Sequence, residues 1–144
     1  MPKLVIVDDE VDIREFAKNF FERRGIEVFT ASGGKEALRI IEEQSPDLAL
    51  LDIHMEEMSG VELLKQLRQR SNDINVIMVS GVEDEEIVNE ANSWGIKGYI
   101  HKPLVLEELE QIVNDALARA GEFDMNPQNI QAHLQTVVSL LKNG

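Results

Sequence analysis

Short continuous apolar runs alternate along this chain with stretches whose apolar residues recur at helical spacing, and that alternation narrows the possible folds most. Leu4 to Val7, Leu48 to Leu51 and Val76 to Val79 are runs of four bounded by polar residues, as expected of strands covered on both faces. Glu27 to Thr30 and Gly98 to Ile100 occupy the places of two flanking strands. Between them the period changes. Ile13, Phe16, Ala17, Phe20 and Phe21 form one helical stripe, and Gly25 supplies its stop. Weaker stripes run through Ala37, Leu38 and Ile41, through Val61, Leu64 and Leu67, and through Ile87, Val88 and Ala91. Ser59 with Glu62 reads as a capping box, and Glu83 to Glu86 place acid where a helix dipole favours it. A longer helix follows Pro103, with Leu106, Leu109, Val113, Ala116 and Leu117 on one side.

Five strand-helix units predict an α/β fold, because parallel neighbours need crossovers and right-handed crossovers place helices on both faces of an open sheet. The chain is too short for an eight-unit barrel, and the glycine fingerprint of a dinucleotide fold is absent after the first strand; Gly33 and Gly34 precede the second helix instead. Asn126 and Pro127 read as the start of one more helix, with a narrow stripe of Ile130, Leu134, Val137, Val138 and Leu141. The expected division is a domain over residues 1–121 and a linker with a C-terminal helical extension over 122–144. That stripe would pack on the domain, pair with a second copy, or lead to an effector domain.

A net charge of -13 opposes attraction to phosphate backbones and anionic lipid, so direct nucleic-acid binding is not expected. Without cysteine there is no disulfide, thiolate nucleophile or cysteine-ligated metal, and a cytoplasmic location is the default expectation. The apolar opening reaches Asp8 too soon for a signal-peptide core or a membrane span.

Ligands of open parallel sheets sit at the carboxyl ends of the strands. There the first strand delivers Asp8-Asp9-Glu10, the third Asp52, the fourth Ser80-Gly81 and the fifth His101-Lys102-Pro103. Carboxylates gathered on one rim repel each other, and a hard divalent cation relieves that cost. Magnesium suits such a site, because it takes one or two carboxylates and keeps room for water and a phosphate oxygen. A carboxylate nucleophile, a metal and a lysine are together the parts for in-line phosphoryl transfer onto Asp52.

These residues carry a resemblance over roughly residues 3 to 120. Val7-Asp8-Asp9-Glu10, Leu51-Asp52 followed by Met55, Met58 and Gly60, Ser80-Gly81, and Gly98-Tyr99-Ile100-His101-Lys102-Pro103 resemble, in that order, the receiver domains of two-component response regulators. The resemblance implies a flavodoxin-like sheet of order 2-1-3-4-5, which sets Asp9 beside Asp52. It implies Asp52 as phosphoacceptor, Asp9 and Asp52 as direct Mg2+ ligands, Asp8 as a water-mediated ligand, and the His54 backbone carbonyl as the remaining protein ligand. By the same resemblance Ser80 is the switch hydroxyl, Tyr99 the aromatic that moves with it, Lys102 the cation on a phosphoryl oxygen, and Lys102-Pro103 a cis peptide. The implied partners are a histidine kinase and a downstream protein effector or separate output domain, with a homodimer as an option. The implied catalysis is confined to the domain's own phosphorylation and dephosphorylation.

Three departures from the family's pattern matter, the last of them at a pair of positions. Glu56 stands where a proline usually follows the methionine, and Ile96 replaces a usual alanine. His54 and Val82 occupy positions that tune dephosphorylation. Simpler readings exist for several residues. The acidic run would serve a helix N-terminus, Ser80 would serve as an N-cap, Pro103 would start a helix, and Tyr99 and Trp94 would pack. His54, His101 and His133 are too scattered for a metal site. Two rival functions are weighed on chain order. A haloacid-dehalogenase-type phosphohydrolase carries its nucleophile after the first strand, not the third, and a receiver-like adaptor that is never phosphorylated would lack a reacting residue.

Overall fold

The computed structural model describes residues 1–81 and 84–122, with side chains described up to residue 118. Five strands and five helices alternate: β1 (Lys3–Val7), α1 (Val11–Glu22), β2 (Glu27–Ala31), α2 (Gly34–Gln44), β3 (Leu48–Asp52), α3 (Gly60–Gln69), β4 (Asn75–Ser80), α4 (Glu85–Ser93), β5 (Gly98–His101) and α5 (Leu106–Glu122). All strand pairs are parallel and the order is β2-β1-β3-β4-β5, the doubly wound sheet that the sequence leads one to expect. The strands exceed the apolar runs by a residue or two, because ladder pairing extends onto the polar residues that flank each run, such as Lys3, Asp52 and Ser80.

Side-chain alternation along the strands separates two cores. Val5, Val7, Ala49, Leu51, Val76 and Met78 face one way, against α2, α3 and α4. Leu4, Ile6, Leu48, Leu50, Ile77, Val79 and Ile100 face the other way, against α1 and α5. Continuing this alternation past the last apolar residue decides where the rim residues point. Asp8, Asp52 and Lys102 follow Ile6, Leu50 and Ile100 by two residues, so all three belong to the α1/α5 side. Ser80 follows Met78 and belongs with Tyr99 to the α4 side.

The helices bury what their stripes predict, with two exceptions. In α1, Ala17 and Phe21 are buried, but Phe16 is 47% exposed. In α5, Leu109, Val113 and Ala116 are buried, yet Leu106 is 41% exposed. Phe16 borders a cleft near the rim, between α1 and the segment from Lys102 to Leu104 that follows β5. Gly25 ends α1 with φ +81°, a left-handed conformation that favours glycine, while the Ile26 amide donates to the Phe21 carbonyl at 3.2 Å. At α3 the Ser59 hydroxyl accepts the Glu62 amide at 3.1 Å, the predicted cap. The N-cap of α4 is Asp84, whose side chain accepts the Glu86 amide at 3.0 Å, and Trp94 packs against the core at the other end. Val82, Glu83 and the expected helix after Asn126, with His133, lie outside the described residues.

Candidate functional site

The sheet's carboxyl rim brings Asp8, Asp52 and Lys102 into direct contact. Lys102 Nζ lies 3.1 Å from Asp8 Oδ2, 3.3 Å from Asp52 Oδ2 and 3.8 Å from Glu10 Oε1. The two aspartates are 2% and 3% exposed, so this ion triplet sits in the protein and not in bulk water. The backbone fixes both carboxylates. The Glu10 amide donates to Asp8 Oδ1 at 2.9 Å, and the His54 amide donates to Asp52 Oδ1 at 3.3 Å. Arg14, one turn into α1, donates to the Asp8 carbonyl oxygen at 2.7 Å and ties the helix to the same corner.

Burial, with the Asp8 charge as the second cause, raises the Asp52 pKa from 3.8 to about 6; Lys102 and the His54 amide pull it back only in part. Lys102 is pulled down by burial, but Asp8 and then Asp52 outweigh this and raise its pKa. Two buried carboxylates thus share one ammonium, leaving negative charge uncompensated. A divalent cation fits that deficit. Oxygens of Asp8, Asp9 and Glu10 lie within 4.8 Å of one another, a donor set of hard ligands suited to Mg2+. Asp9 and Glu10 are exposed, so this set opens toward solvent.

Each predicted residue can be placed. Asp8 and Asp52 are the buried pair, and Asp9 stands at the solvent edge beside Asp8. His54 keeps its side chain exposed while its amide meets Asp52. Ser80 ends β4, 1% exposed, and its carbonyl accepts the Lys102 amide at 2.7 Å. It is not the α4 cap, since Asp84 fills that place. Tyr99 is half-buried on β5, and its ring centroid lies 4.9 Å from that of His101, two residues on and on the same face. The Lys102-Pro103 peptide is cis.

Two contributors escaped the sequence reading. Glu10 adds a third acid to Lys102, a role the acidic run hinted at but only the coordinates resolve. Gly60 matters for space: a Cβ there would stand 2.3 Å from the Asp52 carbonyl oxygen. Its amide donates to the Ile53 carbonyl at 2.9 Å, so the loop after β3 closes against the strand end that carries Asp52.

Comparison with known proteins agrees with this fold. Residues 4–114 match the family described as "Response regulator receiver domain". The sporulation initiation phosphotransferase F of Bacillus subtilis is 31% identical over 80% of this chain and 93% of its own length. The response regulator SaeR of Staphylococcus aureus is 31% identical over 99% of this chain but 62% of its own length. The chain likewise spans 62% of a probable C4-dicarboxylate response regulator of Bacillus subtilis, at 28% identity over 96% of this chain. Among solved structures, a CheY-like receiver domain protein from Methanospirillum hungatei superposes with a TM-score of 0.81 at 30% identity, covering 85% of this chain and 98% of that one. A Francisella receiver domain gives a TM-score of 0.77 at 34% identity, covering 83% and 98%. With the family match spanning most of its length, and with the fold in agreement, the chain belongs to the response regulator receiver family.

Proposed function

We propose that this chain is a phosphoacceptor switch in which Asp52 receives a phosphoryl group from the phosphohistidine of a histidine kinase. The observation that carries the reading is the contact of one lysine with two nearly fully buried aspartates at the strand ends. A pKa near 6 leaves Asp52 largely ionised at neutral pH, so an oxygen of its carboxylate is available to attack phosphorus. As that O–P bond forms, the P–N bond to the histidine breaks and its electron pair leaves with the imidazole. Lys102, held by Asp8, offers its ammonium to a phosphoryl oxygen.

Asp8, Asp9, Asp52 and the His54 backbone carbonyl would hold Mg2+. When bound, the ion neutralises the acidic rim and the incoming phosphoryl oxygens. The His54 amide on Asp52 Oδ1 keeps that oxygen engaged and leaves the other toward Lys102.

The acyl phosphate then draws the Ser80 hydroxyl, and Tyr99 follows into the space released, biasing α4, β5 and α5. A coupling of about 1–3 kcal/mol suffices to change affinity for a downstream effector, a separate output domain or a second copy. The activity is a switch confined to this domain, in the cytoplasm, with residues 1–121 as the receiver and 122–144 as an extension. The Bacillus subtilis relative is named a phosphotransferase, which fits a chain that accepts a phosphoryl group. Incubation with a small phosphodonor and Mg2+ should label the native chain and not the Asp52→Asn variant. Equal labelling of both would refute the assignment.

A further inference from the structure

Beside Lys102 the rim opens into a cleft of about 710 Å³. Its wall is apolar: Ile13 and Phe16 come from the first two turns of α1, and Pro103 and Leu104 from the segment that follows β5. Phe16 is 47% exposed, and its ring stacks on Phe20 at a centroid distance of 6.4 Å, so it offers a flat aromatic face to whatever enters. The margin of the cleft is acidic. Glu10 and Asp12 line it together with Lys102, whose ammonium lies nearer Asp8 and Asp52, at 3.1 and 3.3 Å, than Glu10, at 3.8 Å. Two carboxylates thus line the cleft against one ammonium that two buried acids already share, which sets a negative potential there. The wall also reaches toward the rim carboxylates. Ile13 and Leu104 line a second, small void of about 10 Å³ that touches Asp8 and Asp52. A group seated in the cleft would therefore lie one side chain from the Asp52 carboxylate.

We propose that this cleft is the subsite for the leaving group of the phosphodonor, and that it selects a phosphorylated imidazole over an acyl phosphate. The inference deepens, and rests on, the reading of Asp52 as phosphoacceptor. The reactive imidazole donor carries a proton on its second ring nitrogen, so its ring is a planar cation. The face of Phe16 attracts such a ring, and Glu10 and Asp12 favour its charge. As an Asp52 oxygen bonds to phosphorus, the P–N bond breaks, its electron pair stays on nitrogen, and the ring departs as neutral imidazole with its proton. An acyl phosphate breaks a P–O bond instead and releases a carboxylate. That anion is repelled by the same acidic margin and has no ring to place on Phe16. The preference is a difference in transition-state binding between two donors that label one carboxylate.

Rates of phosphoryl incorporation from N-phosphoimidazole and from acetyl phosphate, each with Mg2+ at the same pH and ionic strength, test this in the full chain. The quantity read is the ratio of the two kcat/KM values, from which any change in folded fraction cancels. Phe16→Ala should lower the ratio about tenfold, and Asp12→Lys about fivefold. Val105→Ala, at a residue 53% exposed and outside the cleft lining, should leave the ratio at its native value. A ratio within about twofold of the native value in either cleft variant, or one that falls equally in Val105→Ala, would overturn the subsite while Asp52 labelling stands. Equal labelling of the native chain and Asp52→Asn would instead strike the acceptor assignment, and the subsite with it.

Discussion

Replacing Asp52 with asparagine should stabilise the metal-free protein, and the size of the gain follows from the site's electrostatics. Burial and the Asp8 charge lift Asp52 from 3.8 to about 6. At 1.36 kcal/mol per pH unit, an ionised Asp52 then costs the folded state about 3 kcal/mol. At 3% exposure, little solvent screening reduces that figure. The sign follows from proton binding. The folded state holds the Asp52 proton more tightly than the unfolded state, so native stability falls as pH rises from about 4 to about 6, and the penalty is constant above that. Asparagine removes the charge while its oxygen still accepts from the His54 amide, and Lys102 keeps Asp8. The gain should therefore be about 1–3 kcal/mol near pH 7.5 and vanish toward pH 4. Urea unfolding of both proteins in chelator across this range measures it. A variant no more stable than the native chain near pH 7.5, or a gain that does not change with pH, would refute the reasoning.

Lys102→Met removes the ammonium that contacts both buried carboxylates and should cost about 3 kcal/mol near neutral pH, with the loss shrinking as acid protonates Asp52; urea midpoints at several pH values test this. Gly60→Ala forces a Cβ against the Asp52 carbonyl oxygen, and a loss of about 1–3 kcal/mol in the same assay is expected. Arg68 donates to the carbonyls of Asn72, Trp94 and Gly95 at 2.9, 2.9 and 2.7 Å, clamping the end of α4 to α3. Arg68→Ala should cost about 1.5–3 kcal/mol and speed amide exchange around Trp94.

The sheet was legible because buried parallel strands leave unbroken apolar runs, and the strand ends could be read from where those runs stop. Parity along each strand carried much of the site. Asp8, Asp52 and Lys102 each lie two residues beyond a residue of the α1/α5 core, so their convergence was written in the spacing. Individual ligand roles were less legible. Asp8 and Asp9 are adjacent in sequence, but one is 2% exposed and the other faces solvent, a division decided by the turn into α1. Gly60 could not be read as a spatial requirement, because the loop that brings it against Asp52 follows no periodic pattern. The exposure of Phe16 was hidden for a related reason: its stripe is helical throughout, but α5 covers only part of it. Among the described residues no helix is long and apolar enough to cross a membrane, consistent with the early interruption of the opening run by Asp8.

The titration of the Asp52 carboxyl carbon, followed by NMR with and without Mg2+, tests the central claim most directly. The account predicts a midpoint near 6 in chelator, in keeping with a buried acid beside Asp8, and a marked fall when the ion is added. A midpoint near 4 that Mg2+ leaves unmoved would mean that the carboxylates form no cation-binding pocket, and the proposed phosphoryl chemistry would lose its basis.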